Sequence, residues 1–134
     1  MEVLINKIEQ VQRLATRFII SNFRRTASVT LFLENLGLET MAHRRKLAKL
    51  KCFFLLYHNQ LSINARKYIE PVLPRPLRKL HFKHVKPYNP RIDVFKYSYF
   101  PHVITEWNAL PLSVVDTEDV NTFVDNLNCL RYTL

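Results

Sequence analysis

The hydrophobic pattern predicts two helices in the first third of the chain. Apolar residues recur every three or four positions over residues 2–20, which places them on one stripe of an amphipathic helix. A second, short helix is predicted from an N-cap at Ser28 to Leu36, where Gly37 suits the stop. The stripe of the first helix comprises Leu4, Ile8, Val11, Ala15, Phe18 and Ile19.

A third helix is predicted from about Glu39 to about Tyr57, with two different halves. Its first half, "HRRKLAKLK", is strongly basic, whereas its second half, "CFFLLYH", is apolar on every side. A helix that is apolar all round is usually buried, so we expect the second half in a core and the first half in water. Cys52 lies in the apolar half, which favours a buried, inert thiol.

After the third helix, the sequence contains a proline-rich stretch and then a short stretch in which aromatic residues alternate with other residues. Five prolines between positions 71 and 90 exclude a regular helix and predict an extended basic connector over residues 71–92. In "VFKYSYF", Phe95, Tyr97 and Tyr99 alternate with Lys96 and Ser98. This alternation predicts a short β-strand, paired with "HFKHV" or unpaired.

The stretch "SYFPHVITEWNALP" is interpreted as the clasp of a small domain and not as a ligand site. Its first proline, Pro101, suits the first residue of a helix, because the missing N–H costs nothing there, and its last proline ends that helix. Val103, Ile104, Trp107 and Leu110 share one apolar face, and such a face is usually core. The clasp residues are Phe100, Pro101, Trp107, Leu110 and Pro111.

One small helical domain is the architecture that these elements predict. A last helix should begin near Thr117 and run toward Cys129, with Asp116 or Thr117 as its cap. The fold class is mainly α, with about four to five helices, a short β-strand or hairpin and a proline-rich extended connector. We expect a single domain over residues 1–134, divided into a helical half (1–70), the connector (71–92) and the C-terminal clasp (93–134).

Positive charge is concentrated in the middle of the chain. The net charge is +9, and residues 40–92 alone carry +12, with thirteen Lys or Arg against the single acid Glu70. Such a segment points to RNA or DNA as partner, and the alternative is a basic surface that is only solvated. Phe82 and Tyr88, interleaved with the cations, could stack on bases. The candidate phosphate contacts are Arg44, Arg45, Lys46, Lys49, Arg78, Lys79, Lys83 and Lys86.

The sequence contains no pattern typical of a catalytic, metal or cofactor site. A single glycine excludes the Gly-rich loops that cradle phosphates in nucleotide-binding enzymes. The acids are scattered, and the adjacent pair Glu118–Asp119 is explained by a helix start, so two-metal catalysis is not expected. His81 and His84 have a ligand-like spacing but no third ligand close by in sequence. We therefore expect no enzyme activity, no bound metal and no cofactor.

The cysteines and the lengths of the apolar runs indicate in which cellular compartment the protein is expected. Two cysteines without a CxxC pair favour a reduced, intracellular protein of the nucleus or cytoplasm. The first residues are charged and amphipathic throughout, unlike a signal peptide, and "CFFLLY" is too short to span a bilayer. No membrane partner is expected.

Two groups of motifs carry a family resemblance. Tyr99–Phe100–Pro101 precedes a W-N-x-L-P run that ends at Pro111, and two valines and a helix with "F…L" follow. Near the N-terminus, "KIEQVQRLATRFI" is close to E-x-V-Q-R-x-A-x-R-F-I, and "SVT", "LGL" and "RRKL" come next. In this order, over nearly the whole chain, the motifs resemble the C-terminal region of LINE-type (non-LTR) retrotransposon reverse transcriptases of the jockey-like group. His102 departs from the pattern, since the family usually has Arg or Lys there.

The resemblance implies the tail of an RNA-directed DNA polymerase, located after the thumb. The catalytic palm with its paired aspartates and the endonuclease domain are absent from this sequence. The implied role is non-catalytic: the tail would assist RNA or DNA binding next to the missing polymerase domain, which is itself an implied partner. The alternative is a transposon-derived structural remnant or a protein-interaction module with no independent activity.

Overall fold

Helices dominate the computed structural model, which describes residues 2–24, 26–72 and 81–132. The mainly α prediction is therefore confirmed. The chain forms two compact units, Met1–Lys46 (unit 1) and Leu47–Leu134 (unit 2), and the boundary falls within α3. The helices are α1 (Glu2–Ile19), α2 (Val29–Asn35), α3 (Met41–Tyr57), α4 (Asp93–Lys96), α5 (Tyr99–Asn108), α6 (Leu112–Val115) and α7 (Val120–Tyr132), with a 3-10 turn at Ala65–Lys67.

The second helix begins and ends where the sequence predicts. The Ser28 hydroxyl accepts a hydrogen bond from the N–H of Leu31 at 3.5 Å and so caps α2. Gly37, at φ 62°, adopts the left-handed conformation that closes the helix, and its N–H donates to the Glu34 carbonyl at 3.0 Å. Both signals are local in sequence, and both confirm the predicted boundaries.

Helix α1 turns a polar side toward the rest of unit 1, and its apolar stripe faces water. Thr16 is buried, and its hydroxyl donates to the Gln12 carbonyl at 2.9 Å. The Gln12 side chain donates in turn to the Glu39 carbonyl at 2.8 Å. The apolar stripe is exposed, by as much as 76% at Phe18. Its exposed large members are Leu4, Ile8, Val11, Phe18 and Ile19.

The core of unit 2 is assembled around Trp107 of α5. This side chain is fully buried, and its ring centre lies 5.1 Å from that of Phe53 and 5.8 Å from that of Phe123. The second half of α3 supplies Phe53 and Phe54, as expected of a helix segment that is apolar on every side. Cys52 is exposed, however, so the prediction of a buried thiol is wrong: its position on α3 faces away from the core.

The β-strand predicted for "VFKYSYF" is also wrong. Asp93–Lys96 form α4, and α5 begins at Tyr99 with Ser98 as its N-cap residue. Pro101 lies in the first turn of α5, where its fixed φ favours the helix and its missing N–H removes no bond. An alternation over seven residues is too short to separate a strand from two helical turns. In the described residues, β-pairing is limited to an isolated antiparallel bridge between Pro71 and Val85.

The last helix, α7, begins a few residues later than predicted. Asp119, and not Asp116 or Thr117, caps it: its Oδ2 accepts the N–H of Thr122 at 2.8 Å. This bond and the Thr122 hydroxyl stabilise the charged carboxylate and lower the pKa of Asp119. The short helix α6, which ends at Val115, precedes α7 and packs on it.

Candidate nucleic-acid interface

The basic first half of α3 is held in place by a carboxylate of α1. The side chain of Glu9 accepts hydrogen bonds from the backbone N–H groups of Met41 at 3.3 Å and Ala42 at 2.7 Å. The Thr40 hydroxyl accepts a third, from the N–H of His43 at 3.3 Å. A helix start leaves these donors unpaired, and a carboxylate there also suits the helix dipole. Sequence reasoning missed the role of Glu9 because Ala42 lies 33 positions away.

Unit 1 presents the cations that follow this cap. Arg44 and Lys46 are exposed, whereas Arg45 is partly buried and its Nε donates to the Met41 carbonyl at 3.2 Å. The Arg44 guanidinium lies 3.9 Å from the Met41 sulfur, which is a weak acceptor. Arg44 and Lys46 therefore keep their charged groups in water, where a phosphate can reach them.

Lys49, in unit 2, is engaged by α5. Its Nζ lies 3.1 Å from the carboxylate of Glu106 and 3.1 Å from Nδ1 of His102. Its backbone carbonyl accepts a hydrogen bond from the Tyr99 hydroxyl at 3.1 Å. Glu106 thus neutralises Lys49 locally, and a phosphate would have to compete with this ion pair.

The two described lysines of the connector differ in how firmly they are held. Lys83 is 13% exposed; its Nζ donates to the Val115 carbonyl at 2.9 Å and lies 3.5 Å from the Asp116 carboxylate. It is a structural lysine. Lys86 pairs with Glu70 at 2.9 Å, but both side chains are mostly exposed. Such surface pairs contribute about 0–1 kcal/mol, so Lys86 stays available to a phosphate.

Other exposed cations were not singled out by the sequence pattern. Arg78 and Lys79, two of the predicted phosphate contacts, lie outside the described residues. In unit 2, Lys51, Arg66 and Lys67 are exposed. Lys51 ends the basic run "HRRKLAKLK", although it is not one of the predicted phosphate contacts. Arg66 and Lys67 are an isolated pair between Ala65 and Tyr68, so no dense charge run marks them in the sequence.

The Trp-Asn pair of the clasp fastens the connector to α5. The indole N–H of Trp107 donates to the Lys83 carbonyl at 3.0 Å. Asn108 binds Val85 twice: its Oδ1 accepts the Val85 N–H at 3.0 Å, and its Nδ2 donates to the Val85 carbonyl at 2.7 Å. Val85 is fully buried. These bonds fix the backbone on either side of His84.

The remaining clasp residues and the two candidate stacking rings occupy different environments. Pro101 is buried, Phe100 and Leu110 are partly buried, and Pro111 is exposed as the N-cap residue of α6. Phe82 is 70% exposed, so its ring is open to a base. The hydroxyl of Tyr88 donates to the Tyr68 carbonyl at 2.8 Å, which holds that ring against unit 2.

Burial disfavours the charged form of three of the five histidines. Burial lowers the pKa of His58, His81 and His84, because it penalises the charged form. The rings of His81 and His84 lie 4.3 Å apart, and a charge on His84 further lowers the pKa of His81. Among the described residues, no three His, Cys, Asp or Glu side chains are grouped so as to hold a metal ion.

Comparisons with known proteins do not place the chain in a family. No protein-family model, curated protein or solved structure matches it. Within the described residues, no helix combines the length and the apolar character needed to cross a membrane. Function is therefore inferred from the residues and their geometry.

Proposed function

We propose that this chain is the non-catalytic C-terminal region of a LINE-type, non-LTR retrotransposon reverse transcriptase and that it binds RNA or DNA beside the polymerase. The order of its motifs over nearly the whole chain supports the family. The exposed cations at the start of α3 support the binding role. The sequence lacks the clustered carboxylates that hold catalytic metals in polymerases, so its contribution is binding.

An excess of cations over local acids is the observation that carries the binding role. Between Thr40 and Ile92 the sequence contains one acid, Glu70, and it pairs with Lys86. The phosphates of RNA and DNA are closely spaced anions, and neutralising them releases counterions and so favours binding. The exposed cations for which the described residues provide no ion pair include Arg44, Lys46, Lys51, Arg66 and Lys67.

The role of the exposed α3 cations in nucleic-acid binding can be tested by replacing two of them with neutral residues. Arg44→Gln combined with Lys46→Gln should reduce the slope of log K against log[salt] for a labelled RNA by about one to two, because each phosphate contact contributes about 0.7–0.9. Both positions are exposed, so the fold should persist. The matched control, Lys7→Gln with Arg13→Gln, removes the same charge from exposed positions of α1 and should leave the slope unchanged. Equal slopes for the two double variants would contradict a role for the α3 cations.

A protein-interaction role is the second candidate, because α1 exposes its apolar stripe. Val11 is 66% exposed and Phe18 is more exposed still. Contiguous apolar patches of this kind often mark protein–protein contacts. Under this alternative the stripe packs on the polymerase domain of the parent element. Val11→Gln with Phe18→Gln would then abolish binding to that domain, and the Arg44 and Lys46 substitutions would change nothing.

A further inference from the structure

A cavity of about 530 Å³ lies beside α5 in unit 2. Its volume falls within the range of about 300–1,000 Å³ typical of small-molecule sites. The rings of Tyr88 and Tyr97, with Pro90 and Pro101, line it with apolar surface, and Lys96 and Glu106 add charge of both signs. Apolar and aromatic walls with a few placed polar groups are the usual composition of a ligand site.

The two tyrosines of the cavity differ in their contacts and in their exposure. Tyr88 is fixed, because its hydroxyl donates to the Tyr68 carbonyl at 2.8 Å and its ring meets Phe95 edge-on at 5.7 Å. Tyr97 is 51% exposed, and the ammonium of Lys96 lies 5.5 Å from its ring centre. One wall is therefore preorganised, and the other offers an aromatic face to an incoming planar group.

The charged groups of the cavity suit a ligand that has both N–H donors and an anion. The Oε2 atom of Glu106 lies 3.1 Å from Nζ of Lys49 and 3.6 Å from Nδ1 of His102. Its second oxygen takes no part in these two pairs and can accept a hydrogen bond from a ligand N–H. Lys96 supplies the positive charge that a phosphate needs.

We infer that this cavity binds one base of a single-stranded nucleic acid, with the phosphate of that nucleotide near Lys96. The inference rests on the proposed function and adds a site for a base to the phosphate contacts. The base stacks on Tyr97, as bases do on the aromatic platforms of single-strand-binding proteins. An exocyclic amino group, as in cytosine, donates to Glu106, which is the usual pairing of a carboxylate with cytosine N4. A proline-rich peptide also suits aromatic grooves, but it carries no anion for Lys96 and few N–H donors for Glu106.

The test compares single-stranded and duplex DNA on the full chain. Fluorescence anisotropy measures the dissociation constants of labelled oligo(dC), oligo(dT) and a duplex at low salt. Tyr97→Ala should weaken oligo(dC) binding about tenfold, a loss of about 1.4 kcal/mol of stacking, and leave duplex binding within about twofold. Glu106→Gln should remove a preference of oligo(dC) over oligo(dT). Phe23→Ala, an exposed ring of unit 1, is the matched control and should change neither.

The outcomes separate this inference from the proposed function. If the wild-type chain binds oligo(dC) and Tyr97→Ala binds it equally well, the base site is refuted while phosphate binding stands. If no oligonucleotide binds, the proposed function fails, and NMR titration with cytidine 5′-monophosphate decides the cavity. Shifts of the Thr105 and Glu106 amides would then uphold a nucleotide site. Their absence, or shifts produced only by a proline-rich peptide, would overturn it.

Discussion

Replacing Asn108 by Ala should destabilise unit 2 strongly, because one side chain satisfies both backbone groups of a buried residue. Asn108 accepts the N–H of Val85 at 3.0 Å and donates to its carbonyl at 2.7 Å. Val85 is fully buried, so water does not reach these groups in the native fold. In Asn108→Ala, a donor and an acceptor would stay buried with no side-chain partner.

The magnitude follows from the cost of buried polar groups without partners. Each such group costs about 1–3 kcal/mol, so the pair amounts to about 2–5 kcal/mol after allowance for partial relaxation. A domain has a total stability of about 5–15 kcal/mol, so this loss is a large share of it. The control is Asn89→Ala, at an exposed position of the connector that also contains Val85. It should change the free energy of unfolding by less than about 0.5 kcal/mol.

Urea denaturation followed by tryptophan fluorescence measures this effect directly. Trp107 is the single tryptophan of the chain, and its indole N–H donates to Lys83, two residues before Val85. The emission therefore reports on the same stretch of the connector. A loss for Asn108→Ala that is no larger than that of Asn89→Ala would refute the two-bond clamp.

Three further predictions concern the core, the helix cap and pH. Trp107→Ala should cost about 3–5 kcal/mol as a buried large ring, measured by far-UV circular dichroism during denaturation; a loss below about 1 kcal/mol would place the ring outside the core. Glu9→Ala should cost about 0.5–2 kcal/mol, the range of a lost helix cap, and speed hydrogen exchange at the Ala42 amide; unchanged exchange would contradict the cap. The folded-state pKa of His58, His81 and His84 lies below the ordinary 6.5, so the unfolded chain binds more protons. The free energy of unfolding should therefore decrease as the pH falls below about 6.5. Equilibrium denaturation between pH 7.5 and 5.5 measures this, and His81→Gln should make the free energy of unfolding depend less on pH. An increase in stability on acidification would contradict the lowered pKa of these histidines.

The sequence predicts best where the deciding residues are neighbours. Ser28 and Gly37 bound α2 because a cap and a left-handed stop act within one helical turn. The apolar face of α5 also follows from spacing alone, and it places Trp107 in the core. Periodicity therefore recovered the mainly α class and the identity of the central ring.

The sequence predicts least where a distant partner decides. The buried side of α1 carries the bonds from Glu9 to the start of α3 and from Gln12 to Glu39, and these partners lie about 30 positions away in sequence. Lys83 is structural because the Val115 carbonyl and Asp116 come from α6 and its C-cap, over 30 residues later. The cavity beside α5 is assembled from three separate stretches of chain, and their meeting cannot be predicted from local sequence.

The salt dependence of RNA binding by the wild-type chain tests the central claim most directly. If about four to six phosphates are neutralised, log K for a single strand should fall by roughly three to four per decade of salt, with little dependence on RNA sequence. Anisotropy of a labelled single-stranded RNA across a series of KCl concentrations gives this slope. A measurable affinity with the expected slope would support the proposed tail of a reverse transcriptase as a nucleic-acid-binding region. Negligible binding at low salt, or an affinity independent of salt, would contradict it.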